Sequence, residues 1–303
     1  MPNKQLSIKI GKLPELLDSL GKTPEIENSL WNAEASKNML DSLYPLDGVE
    51  ESALEDYRKD WLSRYVYNSN AMEGSTLSLP DTELVLDGEF LPTDGPARYV
   101  FAAKGCADGM EMVRRFAREG RPLDADAILM LHQVTALDVQ PVLRGTFRPY
   151  GYTVRIRDTR VKTADPLEIW DDMEALIHAI DSCNAHPILK AAGFHAMFEN
   201  IHPFADGNGR TGRQILNWML LRAGYAPICI RHDTGREYMN CLERWQVFDD
   251  PAPLISIISK CIVHEQDSIA GIIDDVRNPP EQSHSMTPPE INGPDDGISQ
   301  PGI

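Results

Sequence analysis

Apolar residues recur every three or four positions along most of this chain, and few stretches alternate, so the pattern predicts helices almost throughout. Pro24-Glu25-Ile26-Glu27 opens one, with proline at a tolerated first-turn position and Ile26, Leu30, Leu40 and Leu43 on its apolar side. A second starts near Val49 and carries a stripe of Leu54, Tyr57, Trp61 and Tyr65, with Gly74 as a fitting C-terminal cap. Ser78-Leu79-Pro80-Asp81 is a capping signature for a third, through Leu84 and Val85. Further helices are expected over 98–118, where Gly105-Cys106-Ala107 weakens the pattern, and over 124–136. Pro166 leads another, with Ile169, Trp170, Met173, Leu176 and Ile177, and Pro187 one through Phe194, His195 and Phe198. The run 214–221 is apolar enough for a buried helix, and 239–247 and 255–263 complete the set. One segment departs: over 143–148 and 152–156, aromatic and β-branched residues alternate with polar ones, which predicts a short β-hairpin. Beyond Asn278 the proline density forbids helix, so 279–303 is expected to be a disordered tail.

Candidate chemistry concentrates in His202-Pro203-Phe204-Ala205-Asp206-Gly207-Asn208-Gly209-Arg210, followed by Thr211-Gly212-Arg213. Gly207 and Gly209 reach backbone angles that side chains forbid, and successive amides in such a turn form a concave anion nest. A helix starting near Asn208 would add its free amides and dipole. Arg210 and Arg213, three apart, point to one side and can grip phosphate oxygens. Asp206 sits at the mouth, where one carboxylate plus phosphate oxygens is a usual Mg2+ arrangement. His202 has the side chain suited to general-base work near neutrality. A calcium loop is excluded because its remaining acidic ligands are missing, and neither a Gly-x4-Gly-Lys nor a His-Glu-x-x-His motif is present.

Composition narrows the setting. At 303 residues the chain can bury one large core or two modest ones. A net charge of −17 argues against nucleic acid or an anionic membrane as main partner. The phosphate site must then be a local positive spot, supplied by Arg210, Arg213 and Arg236. Five scattered cysteines without Cys-x-x-Cys pairs favour buried thiols over disulfides or zinc. Met1 leads into Pro-Asn-Lys-Gln rather than an apolar core, and no run approaches a membrane span; a soluble, cytoplasmic protein is expected.

The stretch from His202 to Arg213 resembles, at every position, the Fic family signature His-Pro-Phe-x-Asp/Glu-Gly-Asn-Gly-Arg-x-x-Arg. The resemblance implies an all-α, Fic-type helical bundle that transfers AMP from ATP to a protein hydroxyl. It implies His202 as general base, Asp206 as Mg2+ ligand, and Gly207, Asn208 and Gly209 as the anion hole. Arg210 would hold the phosphates and Arg213 the γ-phosphate. Relatives acting as kinases carry a lysine near 209, so Gly209 favours nucleotidylation. Ser69-Asn70-Ala71-Met72-Glu73-Gly74 fits the family's inhibitory Ser/Thr-x-x-x-Glu-Gly/Asn segment, whose glutamate pairs with the second signature arginine. Ser69, Glu73 and Gly74 thus become candidates for a brake; without the resemblance Glu73 reads as a surface carboxylate.

The resemblance also makes 150–163 the family's target-binding flap, with Arg155 and Arg157 facing solvent. In 231–240, Tyr238 and Asn240 are candidate contacts to the base, or else a packed tyrosine and an ordinary helix residue. His195 reads as a core histidine. The similarity runs from about 63 to 263, giving a Fic domain over 61–265 with the inhibitory helix ending at 74. A helical extension over 1–60 precedes it and a helix end over 266–278 follows. The expected partners are ATP and a Ser, Thr or Tyr hydroxyl of a protein target, this chain included, with a homodimer left open. Open alternatives are a different nucleotide donor, removal of AMP, a nucleotide-sensing scaffold without transfer, or a structural helical protein.

Overall fold

The computed structural model describes residues 4–89 and 96–279, and eleven helices account for most of them. Helix α1 (Lys4–Leu20) buries Leu6, Ile10, Leu13 and Leu17, spaced four, three and four apart, against later helices. It lies within the helical extension expected over 1–60 and carries Pro14 inside it. α2 (Pro24–Asp41) starts on its proline. α3 (Gly48–Ala71) is fixed at its start by an Asp47–Glu50 capping box, and α4 (Leu79–Leu86) by the expected Ser78–Asp81 one. α5 (Ala97–Arg118) passes unbroken through Gly105, and α6 (Ala125–Thr135) is capped by Asp124. α7 (Ile169–Ser182), α8 (Pro187–Ile201), α9 (Asn208–Arg222), α10 (Gly235–Phe248) and α11 (Ala252–Arg277) follow.

α8 and α9 lie at the centre. Nearly every side chain of α8 is buried, and α9 packs against both α8 and α5. α11 runs along α2, α3 and α8, and α1 lies across α7 and α8. One continuous core joins Leu6 on α1, Trp61 on α3, Phe194 on α8, Trp218 on α9 and Ile262 on α11. The divisions expected at 60/61 and 265/266 fall inside α3 and α11, and the first helix shares the core with α8 and α9.

No strand occurs among the described residues, so the expected hairpin is corrected to an irregular loop. The reason is where its polar groups go. The buried Arg148 donates its backbone N–H to Pro203 O (2.8 Å), Nε to His202 O (2.9 Å) and Nη1 to Tyr152 O (2.8 Å). A further bond reaches Ala164 O. Phe147 turns inward against Trp170 and Phe204. The alternation therefore marks a loop tied to the His202 segment, not a ladder of its own. The tail expected over 279–303 lies, from 280, outside the described residues. Among those described, no helix is long and apolar enough to cross a membrane.

Candidate active site

The His202–Gly209 segment is the turn between α8 and α9, and its shape is held from three sides. His202 closes α8 in the left-handed region (φ 53°), and Gly207 enters α9 with φ 78°. Asn208 locks the turn: its Oδ1 accepts from Phe204 N (2.8 Å) and its Nδ2 donates to Phe204 O (2.8 Å). The buried ring of His132, on α6, stacks on Phe204 at 3.6 Å. Burial pushes the His132 pKa down to about 4, so the ring is neutral. Gly145 N donates to its Nδ1 (2.9 Å), which leaves Nε2–H to donate to Asp206 O (3.0 Å). The amides opening α9 face the mouth of this turn, the arrangement an anion needs.

His202 is mostly buried, and burial lowers its pKa to about 4. The ring is neutral at physiological pH, with Nδ1 3.4 Å from Glu199 O. A proton on Nδ1 leaves the Nε2 lone pair to act as base. The Glu199 carboxyl lies 3.9 Å from the same Nδ1. Its Oε1 is buried without a hydrogen-bond partner among the described residues, and burial pushes its pKa up to about 8 against the pull of Arg213. Gly212 makes the space: a Cβ there would stand 2.2 Å from Oε1.

The two arginines of the turn are already engaged. Arg210 forms a two-pronged pair with Asp138 (2.7 and 3.3 Å), both side chains only 2% exposed. Burial alone would lower the Arg210 pKa, but Asp138 holds it above its ordinary value. Arg98 lies 3.5 Å from both Asp138 and Asp206. Arg213 donates Nε to Ser69 Oγ (3.0 Å) and Nη2 to Ser69 O (2.9 Å) and Glu73 Oε1 (2.7 Å). Glu73 opens to solvent on one side, 38% exposed, whereas Arg213 is 4% exposed. Burial works to raise the Glu73 pKa, yet Arg213 brings it below the usual carboxylate value. The carboxylate also covers Gly209, where a Cβ would stand 2.1 Å from Oε1. Gly74, with φ 86°, turns the chain away after it.

Asp206 is exposed at the mouth, its Oδ1 accepting Gly207 N–H (2.7 Å). No group of three or more His, Cys, Asp or Glu side chains able to hold a metal occurs among the described residues. A lone open carboxylate fits Mg2+ that arrives on phosphate oxygens and keeps its waters. Asn208 has its side chain turned into the loop, leaving only its backbone for an anion. Tyr238 is buried and bonded to His195 Nε2 in the core, so it is not a surface on which a base stacks. Asn240 and Arg236 are exposed on α10. The segment leading into α10 meets the end of α3: His232 N donates to Asn68 Oδ1 (2.8 Å), and Met72 packs under Gly235. Asp138, His132, Glu199, Arg148 and Arg98 were missed. None carries a spacing signal, and only the fold brings them to the turn. All five cysteines are free, four of them buried.

Residues 122–220 match the model of the Fic/DOC family. Protein adenylyltransferase fic-1 of Caenorhabditis briggsae is 29% identical over 229 residues, 73% of this chain and 43% of that protein. Protein adenylyltransferase Fic of Drosophila melanogaster is 26% identical over 239 residues, 78% of this chain and 46% of that protein. The chain thus spans less than half the length of these curated relatives. A Fic-domain-containing signalling protein from Bacteroides thetaiotaomicron matches in structure with a TM-score of 0.73 and 25% identity. The match covers 80% of this chain and 97% of that one. A segment of Fic-1 from Caenorhabditis elegans matches at 0.66 and 25%, covering 82% and 74%.

Proposed function

Since the chain carries a Fic domain, we propose that it is an autoinhibited protein adenylyltransferase, moving AMP from ATP to a Ser, Thr or Tyr hydroxyl of a protein target, itself included. The observation that carries the reading is the Glu73–Arg213 pair. A buried guanidinium at the mouth of an anion nest is closed by a carboxylate from the turn that follows α3, and that carboxylate is open enough to leave. A γ-phosphate offers Arg213 the same oxygen geometry.

In the proposed reaction the nest at the start of α9 and Arg210, held still by Asp138, receive the phosphates. The target hydroxyl oxygen attacks the α-phosphorus, the bond to the bridging oxygen breaks, and pyrophosphate leaves. His202 Nε2 takes the hydroxyl proton, and Nδ1 keeps its own toward Glu199 O. Asp206 would hold Mg2+, which neutralises phosphate charge when bound. The loop over 150–163, anchored to His202 through Arg148, is where target backbone would lie. A cytoplasmic setting belongs to the same proposal, supported by the free, mostly buried thiols.

The test incubates wild type, Glu73→Gly and Glu73→Gly/His202→Ala with Mg2+ and α-labelled ATP, reading label on protein. Label on the Glu73 variant, little on wild type and none on the double variant is expected. A double variant that labels like the single one would remove His202 from the chemistry. ATP that binds the Glu73 variant without labelling protein would leave a sensing scaffold or another donor.

A further inference from the structure

Away from the catalytic turn, a cavity of about 680 Å3 opens where α3, α5 and the C-terminal end of α9 meet α2 and α11. That is within the range of small-molecule sites, roughly 300–1,000 Å3. It is separate from the phosphate nest, because α9 spans roughly 20 Å between them at 1.5 Å per residue. Its walls are apolar and aromatic, with Leu54, Tyr57 and Trp61 from α3 and Leu221 from the end of α9.

Two cations on those walls are poorly matched, whereas Arg58 is paired with Glu51 at 2.6 Å. Arg114 has only 25% of its side chain exposed, and its guanidinium lies 5.5 Å from the centre of the Trp61 ring. Its nearest carboxylate is the exposed Glu111 at 3.9 Å, outside hydrogen-bond reach, and Glu111 is shared with Arg118 at 3.5 Å. Arg58 also lines the cavity; burial, then the positive charges of Arg58 and Arg118, depress the Arg114 pKa. The other carboxylates on the wall are taken, Asp41 by Lys37 and Glu265 by the Tyr57 hydroxyl (2.7 Å). A largely desolvated cation without a close acceptor costs stability unless an anion joins it. On a chain of net charge −17, Arg114 and Arg118 form a basic edge to this cavity, whose wall also carries Asp41, Glu111 and Glu265.

We propose that this cavity binds a small anion with an apolar body, its carboxylate, sulfonate or phosphate head on Arg114 and Arg118 and its body along Trp61 and Leu221, and that occupancy acts on the Glu73 brake. The link is α3 itself. Its middle turns wall the cavity, and its last turn carries Ser69, which holds Arg213, just before Glu73. Trp61 and Ser69 are eight residues apart, roughly 12 Å along one helix. A ligand that shifts α3 against α5 moves both brake contacts together. The coupling, though not the binding, rests on the transferase reading above.

Titration calorimetry on the full chain tests it with two probes of one shape, naphthalene-2-sulfonate and the neutral naphthalene-2-sulfonamide. The sulfonate should bind one to one, roughly tenfold tighter than the sulfonamide, as a charge-assisted contact implies. Arg114→Met should erase that preference, and Ala117→Trp, which fills the cavity, should remove binding of both. Arg118→Gln, at a side chain 73% exposed and so safe for folding, should weaken the sulfonate several-fold. No sulfonate binding, or a preference untouched by the Arg114 and Arg118 variants, overturns the site. For the coupling, sulfonate affinity is compared with and without saturating Mg-ATP, since linkage is reciprocal. A shift of about threefold or more in wild type, absent in Glu73→Gly, is expected, and equal affinities in both states of wild type overturn it. If Mg-ATP does not bind at all, the transferase reading fails with the coupling, and the nucleotide-free titration still decides the anion site.

Discussion

Changing Glu73 should move activity and stability in opposite directions, and the size of both follows from one hydrogen bond. Arg213 keeps its two bonds to Ser69 whatever happens at 73, so Glu73→Gly removes only the 2.7 Å contact to Oε1. A hydrogen bond between charged partners contributes about 1.5–3 kcal/mol. Because the carboxylate is 38% exposed, solvent screening takes this down to roughly 1–2 kcal/mol. If the brake competes with the γ-phosphate for Arg213, removing it should raise the transfer rate at subsaturating ATP roughly 5- to 30-fold. The unliganded variant loses the same increment and leaves a buried cation less well paired, so its Tm should fall by roughly 2–8 °C. Mg-ATP should restore much of that loss by taking the vacant place on Arg213. Glu73→Gln, which keeps the shape without the charge, should fall between wild type and glycine on both measures. The assay pairs incorporation of α-labelled AMP with thermal scans, with and without Mg-ATP. An unchanged rate, or a rate and a Tm that rise together, would refute competition for Arg213.

Other outcomes follow from the buried groups around the turn. Asp138→Asn leaves Arg210 as an uncompensated buried charge and should cost about 3–5 kcal/mol in urea unfolding; a loss under about 1 kcal/mol would mean the pair is not what holds Arg210. His132 has a folded-state pKa near 4 against 6.5 unfolded. Its contribution is complete above pH 6.5 and drains away as pH falls toward 4, by about 2–3 kcal/mol. Unfolding curves of wild type and His132→Gln across that window should converge; parallel curves would contradict a buried neutral ring. Glu199 has the opposite sign. With its pKa raised to about 8, it favours the fold below pH 4.5 and loses that contribution as pH rises through 8. Glu199→Gln should therefore flatten the alkaline loss of stability, by at most about 1.4 kcal/mol per pH unit, and an unchanged alkaline limb would place its carboxyl in contact with water.

The turn from His202 to Arg213 was legible because its candidate chemistry is compressed into consecutive residues, which the structure gathers at the junction of α8 and α9. Glu73 was legible for a similar reason, as part of a short motif, and its partner Arg213 is the expected one. What escaped is everything whose role depends on distant helices meeting. Asp138 lies 72 residues from Arg210, and His132 lies 74 residues from the Asp206 carbonyl it holds. The hairpin misled because alternation reports only which side chains turn inward. It could not show that the polar groups of Arg148 would be spent on the His202 loop. Tyr238 stayed open between a base contact and a packed tyrosine because the two read alike in a sequence, and the structure buries it against His195.

Position 209 answers to two states of the molecule at once. In the resting state it is the floor on which the Glu73 carboxylate sits, with only 2.1 Å available where a Cβ would be. In the proposed working state the same backbone would meet a phosphate. A single added methyl would push the carboxylate off Arg213 and intrude on the nest together, loosening the off state while spoiling the on state. On the proposed reading, the inhibitory carboxylate and the nucleotide would set the same upper limit on side-chain size there.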